Sequence, residues 1–90
     1  MEVRAHIIVK GLVQGVGFRY FVYSRAAAAG ATGFVRNLGN GDVEIEAQGE
    51  RATVEILIAQ VKVGPRSAHV SDMRIEWKSP LQDSAAFEIR

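Results

Sequence analysis

An α+β fold, with two helices packed on one face of an antiparallel sheet, is predicted by three features of this 90-residue sequence. A strand-like stretch opens the chain and gives way to a run of helix formers. Two further strand-like stretches are joined by a tight-turn signal. A helical stripe then precedes a last long strand. A chain this short has no room for two independent cores, so residues 1–90 read as a single domain in which every element serves one core.

Val3, Ile7 and Val9, with Arg4, His6, Ile8 and Lys10 between, give an imperfect two-residue period, and Val3–Lys10 is the first expected strand. Gly11, Gly15 and Gly17 mark a loop. From Phe18 to Ala29 the residues favour a helix, ending in an alanine run, and Gly30 stands where helices close on a left-handed residue. On that helix Phe21, Val22 and Ala26 are core candidates. Ala31–Leu38 and Val43–Gln48 read as strands two and three around Gly39-Asn40-Gly41-Asp42, residues that tolerate positive φ. Val43, Ile45 and Ala47 alternate with Glu44, Glu46 and Gln48, so Asp42, Glu44 and Glu46 are expected on a solvated face.

Val54, Leu57, Ile58 and Val61 fall at i, i+3, i+4 and i+7, the stripe of a core-facing helix, and Gly64-Pro65 ends it. Val70–Lys78 reads as a fourth strand, with Trp77 as a packing residue, and Phe87–Arg90 as a short terminal one. The order is βαββαβ plus a small extra strand. Two right-handed split βαβ units place both helices on one sheet face, the ferredoxin-like sandwich. That architecture hosts enzymes, RNA binders and regulatory modules, so function has to come from a site.

Composition narrows the classes. Hydrophobic residues make up 48% and charged residues 23%, as in an ordinary soluble domain rather than a disordered one. The net charge is +1 with no basic cluster, which argues against a nucleic-acid partner. An RNA-recognition domain would carry aromatics on its third strand; Asp42-Val-Glu-Ile-Glu-Ala-Gln48 is acidic and has none. The absence of cysteine rules out disulfides and thiolate metal sites and fits a cytoplasmic protein. Glu2, Arg4, His6 and Lys10 interrupt any signal-like apolar run, and no stretch is long enough to span a membrane. His6 reads as a strand-face residue and His69 as a loop residue; their separation supports no metal site.

The loop from Gly11 to Arg19 is the most informative stretch. It joins a strand to a helix, where main-chain N–H groups lack partners. No Ser, Thr, Asp or Asn between Gly11 and Phe18 is present to cap the helix. Arg19 falls in the first turn, where a cation opposes the helix dipole by roughly 0.3–1 kcal/mol. An anion resolves both features, because phosphate oxygens accept the free N–H groups and fit the guanidinium fork. A tight turn beside a solvated Arg is the other reading these residues allow. The loop lacks the Gly-Lys-Ser/Thr of a P-loop and the third glycine of a dinucleotide fingerprint.

Gly11-x-Val-Gln-Gly-Val-Gly-Phe-Arg19, Gly33-Phe-Val-Arg-Asn37, Asn40-Gly-Asp-Val-Glu44, Gly49, Gly64-Pro65 and Phe87-Glu-Ile89 together resemble the acylphosphatase family over essentially the whole chain. The resemblance implies hydrolysis of the carboxyl–phosphate bond of a small acyl phosphate, releasing a carboxylate and inorganic phosphate. It implies that Arg19 binds the phosphate, that the N–H groups of Gln14, Gly15, Val16, Gly17 and Phe18 cradle it, and that Asn37 positions the attacking water. It implies no metal, no cofactor, no covalent intermediate, and a free-standing monomer. Gly17 departs from members with a bulkier residue there. A relative that binds its ligand without turnover, a regulatory module, is the alternative.

Overall fold

The computed structural model describes residues 1–90. The elements are β1 (Glu2–Leu12), α1 (Phe18–Ala29), β2 (Thr32–Asn37), β3 (Val43–Glu50), α2 (Arg51–Val63), β4 (His69–Lys78) and β5 (Phe87–Ile89). They form one sheet of order β4-β1-β3-β2-β5, with β1 paired antiparallel to both β3 and β4 and β2 antiparallel to β3. This is the ferredoxin-like α+β arrangement. No helix is long and apolar enough to cross a membrane.

The two-residue period of β1 buries Val3, Ala5, Ile7 and Val9, which meet Val43, Ile45 and Ala47 of β3 across the ladder. Val22 and Ala26 of α1, and Val54, Leu57 and Val61 of α2, close the core from the same side. Phe21 and Ile58 are only partly buried at its margin. Gly30 closes α1 in a left-handed conformation at φ 76°, and the Ala31 N–H reaches back to the Ala26 carbonyl at 3.0 Å.

The structure changes four details. The sheet is mixed, because β5 runs parallel to β2, with Gly33 opposite Phe87 and Val35 opposite Ile89. After β4 the chain reverses and crosses the open face, so it reaches the far edge running antiparallel to β4 and therefore parallel to β2. That crossing is pinned by Gln48, whose amide donates to Leu81 O at 2.9 Å and accepts the Leu81 N–H at 2.8 Å. His69 is the first residue of β4, paired with Leu12, rather than a loop residue. Trp77 remains 41% exposed on the edge strand, under the Arg51 guanidinium at 4.5 Å from its ring centre.

The fourth change concerns the acidic face of β3, which is ion-paired rather than solvated. Glu46 takes Arg4 and Lys78, Glu44 takes His6 and Arg36, and Asp42 takes Lys10. Cross-strand register sets these partners: Arg36 of β2 stands directly opposite Glu44, Arg4 and His6 of β1 reach Glu46 and Glu44 diagonally, and Lys78 reaches Glu46 from β4, beyond β1. Burial raises the affinity of the Glu44 and Glu46 carboxyls for a proton. The hydrogen bonds and charges of His6 and Arg36, and of Arg4 and Lys78, outweigh it and hold both below the ordinary glutamate range.

Candidate active site

The β1–α1 loop is anchored at both ends, since Val13 and Phe18 are each only 1% exposed. Between them Gly15 and Gly17 take φ of 73° and 77°, values that other residues adopt with strain. Gly17 is the residue before the helix and supplies no side-chain cap; the first helical bond runs from the Phe21 N–H to its carbonyl at 3.0 Å. The main-chain N–H groups of Gln14 through Tyr20 donate to no protein acceptor. They form an uncapped helix start with a partial positive charge.

A cleft of about 220 Å³ opens over this loop, lined by Val13, Gly15, Gly17, Phe18, Arg19, Tyr20, Asn37 and Ile89. Arg19 is the second residue of α1, half-buried, and its guanidinium donates to the Arg90 main-chain oxygen at 2.9 Å. Asn37 enters from the end of β2, and its side-chain Oδ1 is buried without a hydrogen-bond partner. A buried acceptor without a partner costs about 1–3 kcal/mol. Gly15, Gly17, Phe18, Arg19 and Asn37 thus converge on one cleft.

Gln14 and Val16 lie in the same loop but outside the cleft lining. The Gln14 amide binds the turn after β2, and the Val16 carbonyl accepts the Ser67 hydroxyl at 3.0 Å. Sequence reasoning did not find Val13, Tyr20 or Ile89 as cleft residues. Ile89 reaches the site only because β5 crosses to the β2 edge, a long-range event with no local signal. No group of three or more His, Cys, Asp or Glu residues stands close enough to hold a metal ion.

A larger hollow of about 750 Å³ lies elsewhere, between Phe34, Arg90 and the 80–86 segment. Its buried cation, Arg4, is already engaged by Glu46, Gln48 and Ser84, so it offers no free charge to a ligand. The smaller cleft carries the free donors.

The acylphosphatase family model matches residues 5–89. The chain belongs to the acylphosphatase family. An acylphosphatase of Bifidobacterium longum is 46% identical over 89 residues, covering 98% of this chain and 92% of that one. An acylphosphatase of Anaeromyxobacter dehalogenans is 47% identical over 89 residues, covering 99% and 96%. The crystal structure of acylphosphatase from Bacillus subtilis superposes with a TM-score of 0.94 at 36% identity, covering 98% of each chain. The protein is accordingly a hydrolase that takes a small acyl phosphate and releases inorganic phosphate.

Proposed function

We propose that the cleft hydrolyses acyl phosphates without a metal ion, and that residues 1–90 act as one catalytic unit. In this reading the N–H groups of Gln14, Gly15, Val16, Gly17 and Phe18, with the Arg19 guanidinium, bind the phosphoryl oxygens. The Asn37 side chain holds the attacking water. The observation that carries it is the meeting, in one cleft, of Gly15, Gly17 and Phe18 with unpaired N–H groups, the half-buried Arg19 and Asn37, whose Oδ1 has no partner. A structural turn would leave Arg19 pointing elsewhere and Asn37 satisfied.

The chemistry needs few groups. As the water oxygen bonds to phosphorus, the phosphorus–oxygen bond to the acyl group breaks, and the carboxylate leaves with the electron pair. A carboxylate is a good leaving group and needs little acid assistance. Phosphoryl transfer is then promoted by in-line positioning and by stabilising the equatorial oxygens. Asn37 has an amide, which accepts a water O–H but is no base at neutral pH. The water's proton therefore passes to the phosphate or to solvent rather than to a protein base.

Replacing Asn37 with Ala is expected to lower kcat by ~10²–10³ while inorganic phosphate still inhibits as before. Steady-state kinetics with phosphate as competitor test this. An Asn37→Ala enzyme with native kcat removes Asn37 from the mechanism.

A further inference from the structure

We propose that the Gln14 side chain is a positioning residue for the reaction: its amide fixes the distance between the phosphate loop and Asn37. Its Nε2 donates to the Leu38 carbonyl at 2.7 Å and to the Asp42 carbonyl at 2.8 Å. Both partners are acceptors only, so the NH₂ end of the amide is the end that fits. The same two carbonyls close the turn after β2. Asp42 O also takes the Leu38 N–H at 2.9 Å, and Leu38 O takes the Gly41 N–H at 3.3 Å. Leu38 follows Asn37 directly.

One half-buried amide thus ties the segment holding the N–H cradle to the residue beside the water-holding Asn37. The other tether on the loop, Ser67 to the Val16 carbonyl, leads to the α2–β4 connection and not to Asn37. In-line attack depends on where the phosphoryl group sits relative to the water, and a misplacement of about 1 Å costs roughly 10²-fold in rate. Gln14 contributes to the cradle through its main-chain N–H, which a side-chain substitution leaves in place. Its side chain sets the geometry between the two halves of the site.

The inference rests on the assignment of Arg19, the loop and Asn37 made above, and two substitutions test it. Gln14→Met keeps the reach of the side chain and removes both donors. Its kcat for benzoyl phosphate is expected to fall roughly 10²-fold, with inhibition by inorganic phosphate nearly unchanged. Gln14→Glu presents no donor when ionised and one when protonated. Its kcat relative to the native enzyme should therefore climb as pH falls through the carboxyl range. A folded Gln14→Met enzyme with native kcat overturns the proposal, as does a parallel loss of kcat and phosphate affinity. If Gln14→Met does not fold, the Gln14→Glu ratio decides, and a ratio flat with pH overturns it.

The Gln14→Met, Asn37→Ala double variant separates this inference from the one beneath it. If Asn37→Ala alone is harmless, the assignment of Asn37 has failed. If Asn37→Ala is slow but Gln14→Met removes the same further factor in both backgrounds, the assignment survives and Gln14 does not act through Asn37. The expected result is a Gln14→Met effect that largely disappears once Asn37 is gone.

Discussion

Replacing Glu46 with Ala is expected to destabilise the fold by about 3 kcal/mol, far more than the loss of a surface charge. The Arg4 side chain is 6% exposed and that of Glu46 13% exposed, and their contact is the shortest one the guanidinium makes. Without Glu46, Arg4 keeps Gln48 Oε1 at 3.0 Å and Ser84 Oγ at 3.4 Å, neutral acceptors for a buried cation. Breaking a buried pair from one side costs ~3–5 kcal/mol, and these two remaining bonds place the site at the lower end. For a chain of this size that corresponds to a fall in Tm of roughly 12–24 °C. The comparison variant is Glu55→Ala, which removes a pair with Arg51 whose side chains are 54% and 51% exposed. That loss should be about 0.3–0.5 kcal/mol. Urea unfolding of both variants, at low and high salt, measures the difference, and the Glu46 loss should persist at high salt. If Glu46→Ala costs no more than Glu55→Ala, the crossing segment does not seal Arg4 from water and the reasoning is wrong.

Three further outcomes follow from the same structure. Glu44 and Glu46 both have folded-state proton affinities held below the ordinary glutamate value of 4.5, so their stabilisation is complete above that pH and is lost as pH falls below it. Urea midpoints measured downward from pH 5 should decline, and the decline should be shallower in Glu46→Gln. Gly33→Ala should cost about 3 kcal/mol or more, because its Cβ would lie 1.9 Å from the Glu46 carbonyl oxygen at a φ of +135°. Gly15→Ala, where no atom stands within 4 Å, meets only backbone strain and should cost roughly 1–2 kcal/mol in the same unfolding assay.

What the sequence discloses and what it hides divide along sequence distance. The bounds of α1 are legible because Gly17 and Gly30 stand at its two ends, and both adopt the left-handed conformation that glycine signals. The core is legible because alternation in β1 and β3, and the stripe in α2, state which face is dry. Alternation does not state what covers the other face. Arg4 and Gln48 are buried because the chain after β4 folds over them, and nothing near either residue announces it. The same crossing makes β5 parallel and brings Ile89 to the cleft.

The site divides in the same way. An uncapped glycine loop with an arginine in the first turn points to an anion from local chemistry alone. Asn37 lies 18 residues beyond Arg19 in the chain, and without the family motif it reads as an ordinary strand-end residue. Only the fold shows that its Oδ1 is buried and unpartnered and that the residue lines one cleft with Arg19. The side-chain role proposed for Gln14 was hidden for the same reason, since its partners are main-chain carbonyls across the sheet end.

The most direct test of the proposed site is benzoyl phosphate hydrolysis in the presence of EDTA, by the native chain and by Arg19→Ala. Native turnover that survives EDTA, with both kcat and phosphate affinity lost in Arg19→Ala, is the predicted result. Native turnover abolished by EDTA, or an Arg19→Ala enzyme that binds phosphate as tightly as the native chain, would contradict it.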